Sequence, residues 1–204
     1  MIGIINFGYG NIQSIINAFN SAGLNSKVLS KSSDVKNFQK LILPGVGSFK
    51  TCFEKLEKYG WRSEILEHVD KNKDLLGICL GMQLMFEWGE EDGGSKGLGL
   101  FKGKVRKIIV DRSEKLPHVG WNNIELKKES NLFKNINKEV DYYFIHSFEC
   151  LPKNNSEIIA TTEYSKNKRI IASISNNKNV HGTQFHPEKS PPNGLKILKN
   201  FNNL

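Results

Sequence analysis

The chain has 204 residues, 38% of them hydrophobic and 25% charged, with a formal net charge of +8. That length supports a sizeable hydrophobic core, and no apolar run approaches the ~20 residues that a bilayer-spanning helix needs, which argues against a membrane partner. The lysines are dispersed among asparagines and glutamates without a basic stripe interleaved with aromatics, which argues against nucleic acid and leaves a basic face for an acidic protein partner.

Residues 2–6 (IGIIN) read as a buried strand ending in the glycine-rich FGYGN. No basic segment precedes that apolar run, so no signal peptide is expected. Helical spacing follows over 11–22 through Ile12, Ile15, Ile16 and Phe19, and Gly23 is a natural stop. A short strand is expected at 27–29. LILPGVGSF (41–49) reads as a strand entering a Pro-Gly loop, and 49–71 as one or two helices broken near Gly60. The strand at 75–78 then leads into GICLGMQ, with Leu80, Leu84, Met85 and Phe86 expected on the first turns of a helix.

The second half changes character. GLGLF (97–101) reads as a loop, and strands are expected at 104–110, 119–126, 141–148, 156–164, 170–175 and 179–185, before a last helix at about 190–202. Alternating strands and helices argue an α/β fold with a parallel sheet covered on both faces, followed by a strand-rich half in one domain, 1–204. In such sheets, sites form at the carboxyl ends of strands, where FGYG, PGVG and Cys79 would all lie.

Cys52, Cys79 and Cys150 are odd in number, scattered and without zinc-ligand spacing. Neither a disulfide framework nor a metal site is expected, and a reducing, cytoplasmic setting fits. Cys79 stands between Gly77 and Gly81 at a strand-to-helix corner. Such a corner projects its side chain outward, and the flanking glycines let the two backbones pass. The start of a helix also favours a thiolate. A nucleophilic cysteine needs an imidazole to take its proton, and the imidazole needs a carboxylate to hold its tautomer. His186 and Glu188, separated by Pro187, supply both in one short segment. His181, His146, His118 and His68 compete as bases, although His181 reads as a strand residue and His68 as lying on a helix surface. Backbone N–H groups near Val46 and Gly47 could face a developing oxyanion.

GICLGMQ (77–83) and QFHPEKS (184–190) together resemble the signatures of the class I (triad) glutamine amidotransferases, and the resemblance covers essentially the whole chain. Within that family the chain is similar to the glutaminase subunits of imidazole glycerol phosphate synthases. GYGN (8–11), LPGVGSF (43–49), GLGLFKGKV (97–105), PHVGWN (117–122), YYFIHSF (142–148) and Lys189 carry that narrower likeness. It implies a flavodoxin-like fold, a central, mostly parallel sheet with helices on both faces and extra antiparallel strands. It also implies that Cys79 attacks the side-chain amide of glutamine, that His186 shuttles the proton and that Glu188 orients His186. Gln83 would touch the bound glutamine, Glu91 would pair with its α-ammonium, and Gly47, Ser147 and Phe148 would line it. Val46, Gly47 and Leu80 would form the oxyanion hole, with the peptide at Val46 reorienting to complete it.

No metal or organic cofactor is implied. The ammonia would pass to a (β/α)8-barrel cyclase/synthase subunit in a heterodimer, with Asn11, Trp121, Tyr143 and Lys189 at the interface. Trp121 reads equally as core packing. Relatives commonly carry an aspartate at the place of Asn6 and a more aromatic pair at Phe148-Glu149. These departures keep a second partner open, a sugar amidotransferase that forms acetamidino sugars for surface glycans.

Overall fold

The computed structural model describes residues 1–111, 115–136, 140–165 and 168–204. Its first half lays down β1 (Ile2–Ile5), α1 (Ile12–Ser21), β2 (Ser26–Leu29), β3 (Lys40–Leu43), α2 (Phe49–Lys58), α3 (Trp61–Asp70) and β4 (Asp74–Ile78). The short α4 (Leu80–Leu84) follows, then β5 (Phe86–Gly89), β6 (Ser95–Lys96) and β7 (Phe101–Lys107). The second half adds β8 (His118–Leu126), β9 (Asp141–His146), β10 (Phe148–Pro152), β11 (Ile158–Ser165), β12 (Lys168–Ser175), β13 (Val180–Thr183) and α5 (Asn193–Asn202).

Among the described residues, nine strands form one sheet in the order β2-β1-β3-β4-β13-β12-β11-β8-β9. The run from β2 to β13 is parallel, and from β13 to β9 each neighbour is antiparallel. The sheet is therefore mixed, as the change of character along the sequence suggests. Alternation along the central strands feeds two cores. Leu41, Leu43 and Leu75 pack with Phe53, Leu56 and Ile65 of α2 and α3. Ile42, Leu76 and Ile78 pack on the other face with Ile15 and Phe19 of α1 and Leu198 and Phe201 of α5. The break near Gly60 is real: its φ of 71° separates α2 from α3, a conformation glycine adopts without steric cost.

Four strands, β10-β7-β5-β6, form a second, smaller sheet against the first. It accounts for three differences from expectation. The helix after Cys79 stops at Leu84, because all five of its residues are buried and no amphipathic face exists to extend; Phe86 onward pairs with β7 instead. The strand expected at 104–110 begins at Phe101, where it already pairs with β5, and its later part pairs with β10. The single strand expected at 141–148 is two, β9 in the large sheet and β10 in the small one, with a bend at Ser147 between them. His68, expected on a helix surface, is buried, with Nε2 against the carbonyl of Asp74 at 3.1 Å.

Candidate active site

The carboxyl ends of β1, β3, β4 and β13 open on a cavity of about 380 Å³. At the end of β4 the chain turns so sharply that Cys79 takes φ 55° and ψ −113°, a region sparsely populated by residues with a side chain. Such a conformation persists only where the surroundings over-determine it. Here the Cys79 N–H donates to the Thr183 carbonyl at 2.7 Å and its carbonyl accepts from the Gln83 N–H at 3.2 Å. The flanking glycines are obligatory. A Cβ at Gly81 would stand 1.8 Å from the Leu43 carbonyl oxygen, and one at Gly77 would stand 2.7 Å from backbone atoms of Gly81 and Met82.

The Cys79 sulfur lies 3.8 Å from the Ile145 carbonyl and receives the Gln184 side-chain amide at 3.7 Å. His186 lies just after β13, with its N–H on the Tyr143 carbonyl at 2.9 Å. Its Nδ1 is 2.7 Å from Oε1 of Glu188, and both side chains are nearly inaccessible. Burial disfavours a charged ring, but the Cys79 sulfur and the Glu188 carboxylate together reverse that and raise the His186 pKa well above the ordinary histidine value. Nε2 of His186, the nitrogen not held by Glu188, makes no hydrogen bond of ordinary geometry, and the Cys79 thiol acts on the same ring. That is the nitrogen able to exchange a proton with the sulfur and with a leaving group.

The cavity brings together most of the residues singled out in the sequence. Asn11, Val46, Gly47, Cys79, Leu80, Gln83, Glu91, Ser147, Phe148, His186 and Lys189 all line it. Glu188 stands behind His186. Trp121 and Tyr143 lie outside the lining but touch each other across β8 and β9, ring centroids 5.7 Å apart. Lys189 sits over the Tyr143 ring at 5.3 Å. Trp121 is 54% exposed, so the core-packing reading of it is wrong.

Glu91 takes its position from α2. Its Oε2 accepts the Phe49 N–H at 2.6 Å, a helix N-terminal bond that holds the carboxylate in place. Burial raises its pKa, partly offset by that bond. Gly47 has φ 105°. The Val46 carbonyl accepts from the Cys52 thiol at 3.5 Å. Carbonyl and N–H point oppositely across a trans peptide, so the Gly47 N–H faces away from Cys52. Burial, then Glu91, pushes the Cys52 thiol up to about 12, and burial holds Cys150 protonated as well. Neither lines the cavity.

Two contributors were not singled out in the sequence. Gln184 bridges the Cys79 sulfur and, at 3.0 Å, the side-chain nitrogen of Gln83, which also donates to the Phe148 carbonyl at 3.2 Å. Gln184 opens the QFHPEKS segment, which was the available signal for it. Ser190 donates to the His186 carbonyl at 2.7 Å and accepts from the Tyr143 N–H at 3.0 Å, closing a ring of bonds between the two segments. It closes the QFHPEKS segment, but nothing local gives it a partner. Among the described residues no group of histidine, cysteine and carboxylate side chains could hold a metal ion.

The family profile described as "Glutamine amidotransferase class-I" matches residues 3–203. The imidazole glycerol phosphate synthase subunit HisH of Caldanaerobacter subterraneus subsp. tengcongensis is 44% identical, the alignment covering 100% of this chain and 98% of that one. The protein of the same name from Pyrococcus furiosus is 39% identical, with coverage of 100% and 98%. Among solved structures, one titled as a glutamine amidotransferase superposes with a TM-score of 0.77 at 17% identity, covering 99% of this chain and 97% of that one. A structure of PurLQS from Thermotoga maritima superposes with a TM-score of 0.76 at 17% identity, covering 99% and 97%. At that identity the superpositions speak for the fold alone.

Proposed function

The chain belongs to the class-I glutamine amidotransferases, and from that premise we propose that Cys79, His186 and Glu188 hydrolyse glutamine to glutamate and ammonia. The protein is a glutaminase subunit of an imidazole glycerol phosphate synthase, as its full-length relatives are named. The observation that carries the site reading is the strained Cys79 in one cavity with a His186 whose far nitrogen is held by Glu188 at 2.7 Å.

In the reaction, the Cys79 sulfur attacks the side-chain amide carbon of glutamine while its proton passes to Nε2 of His186. The tetrahedral oxyanion is met by backbone N–H groups of Leu80 and of the Val46–Gly47 loop. His186 returns the proton to the amide nitrogen, the C–N bond breaks, and ammonia leaves a glutamyl thioester. Water, deprotonated by His186, then opens the thioester to glutamate and restores the thiol. Glu188 holds the imidazole in the tautomer that leaves Nε2 facing the sulfur. Glu91 receives the α-ammonium of glutamine, and Gly47, Ser147 and Phe148 border its chain.

The ammonia goes to a separate synthase subunit, a (β/α)8 barrel, in a heterodimer. Support for a docking face comes from the cavity rim, where Val119, Trp121 and Ile145 stand exposed on neighbouring positions of β8 and β9 and Val46 is exposed on the oxyanion loop. Lys189 and Asn11 border the same opening. No observation favours the second acceptor, a sugar amidotransferase. The whole chain acts as one unit in this reading, since β4 and β13 carry the reacting groups and β9 and β10 border the substrate.

The test is glutamate release from glutamine by the chain alone, and then with the barrel synthase subunit and its ribonucleotide ligand. Strong ligand-dependent stimulation is expected. A folded complex with an active synthase and no glutamate release would overturn the reading.

A further inference from the structure

His118 on β8 and His146 on β9 face each other across the two strands, both nearly fully buried. Their rings meet edge to face, with Nδ1 of His118 3.1 Å from Nε2 of His146. The outer nitrogens are both committed to oxygen acceptors. Nδ1 of His146 is 2.8 Å from the Phe148 carbonyl, and Nε2 of His118 is 2.9 Å from Oδ1 of Asn122. The orientation of Asn122 is set by its amide nitrogen, which donates to the Glu163 carbonyl at 3.1 Å. An amide oxygen accepts and cannot donate, so each outer nitrogen must carry a hydrogen. A neutral imidazole has only one N–H. With both rings neutral, the inner nitrogens would present two lone pairs to each other at 3.1 Å. Four nitrogens in this arrangement need three protons.

We propose that His118 and His146 are a proton-sharing positioning pair for the glutamine site, in which one proton held between their inner nitrogens fixes the Ser147–Phe148 segment at the cavity wall. The inference rests on the glutaminase reading for its functional consequence. Phe148 is the lever. Its carbonyl is gripped by His146 from one side and by the Gln83 amide, one turn beyond the nucleophile, from the other. Ser147 and Phe148 form cavity wall at that point.

The titratable groups around the pair are His186 from the segment after β13, whose charge disfavours protonation of His146, and the Tyr164 phenol of β11, edge-on to His118 at 5.1 Å. On β10, Glu149 is tied to Arg106 at 3.0 Å. Glu91 and Lys189 border the same cavity. Burial works against charge on both rings, so the pair takes up its proton below the ordinary histidine range. A shared proton is a property of the pair, so its loss is one macroscopic step that both rings report at the same midpoint. As pH rises through that midpoint, the inner contact loses its hydrogen bond and the grip on Phe148 loosens. Glutamine KM then rises, while the chemical step continues to follow Cys79 and His186.

The direct test is imidazole ¹⁵N spectroscopy of the histidine-labelled full chain in complex with its synthase partner, with the five histidines assigned by single substitutions. The inner nitrogens of His118 and His146 are expected to titrate together while the outer ones stay protonated throughout. Inner nitrogens that remain bare wherever the fold persists, or two independent midpoints, would overturn the proposal. The kinetic arm uses His118→Asn, whose amide nitrogen takes the place of Nδ1 and donates to His146 without titrating. Its glutamine KM is expected to lose the pH dependence, with kcat unchanged. His118→Phe, which leaves no donor, is expected to raise KM roughly fivefold on the acid side, the size of one lost hydrogen bond. A KM–pH profile unchanged in His118→Asn would also overturn it. If the variants do not fold, the spectra of the unsubstituted chain decide. A failure of the glutaminase reading would show as absent hydrolysis by the unsubstituted complex and would leave the spectroscopic result intact.

Discussion

The two ends of β13 each carry a buried histidine, and the surroundings drive them in opposite directions. His181, near the start of the strand, has neither ring nitrogen hydrogen-bonded; burial brings its pKa down to about 4, although Asp74 pulls weakly the other way. His186, just past the end, is as deeply buried, yet Cys79 and Glu188 overcome desolvation and raise it. Burial alone makes a histidine a neutral packing residue, and a hydrogen-bonded carboxylate plus a facing thiol make it a base. His68 belongs with His181: burial lowers it to about 4, although the Asp74 carbonyl on its ring pulls the other way.

The largest effect should come from removing the thiol that sets the carboxyl-end histidine apart. Cys79→Ala is expected to lower glutamine hydrolysis in the complex by about three orders of magnitude or more, with the fold retained by circular dichroism. Full activity in that variant would dissolve the distinction between the two ends. Glu188→Gln should come next. It keeps a hydrogen bond to Nδ1 but loses the charge and permits the wrong tautomer, so kcat should fall about a hundredfold or more, with the His186 titration moving towards that of His181. Kinetics and imidazole ¹⁵N shifts on one sample measure both.

A test at the rim asks whether the carboxyl end is coupled to a partner. Trp121→Ala should weaken binding of the barrel subunit about tenfold, in the range of an exposed aromatic anchor, and leave the thermal unfolding of the isolated chain unchanged. Equal loss of stability would return Trp121 to the core.

A further expected effect is on stability at the opposite end. His181 and His68 have folded-state pKa values below the unfolded value of about 6.5, so the unfolded chain binds more protons between pH ~4 and ~6.5. Stability from these sites is complete above ~6.5 and is lost as pH falls towards ~4, by roughly 3 kcal/mol each at most. His186 has the opposite sign: its contribution is complete below ~6.5 and is lost as pH rises through its elevated folded value. His181→Gln should therefore flatten the acid limb of a denaturation–pH profile and leave the alkaline limb alone.

Much of the proposed catalytic end was legible beforehand because its signals are local. Gly77 and Gly81 announce a corner that only glycine flanks permit, and the pair of residues around Pro187 announces a base with its orienting carboxylate. Glu91 was harder, since a carboxylate in a run of acids reads as a solvated charge. Only the family resemblance gave it a place, and the structure adds what holds it there, the N–H of Phe49, 42 positions earlier. The β9–β10 bend was not legible at all. YYFIHSF has the alternation of one strand, and nothing local says that its last residue pairs with β7 in another sheet.

By itself, the sequence determined the α/β order, the elbow at Cys79, the His186–Glu188 pair and the family, because each depends on residues a few positions apart: strand and helix periods, steric relief by glycine, and short motifs. The tertiary structure alone decided which way burial and partners move each histidine's pKa, where Gln184 and Ser190 grip the site, and that His118 meets His146. Those outcomes depend on desolvation and on partners brought from distant strands, and both exist only after the sheets have closed on one another.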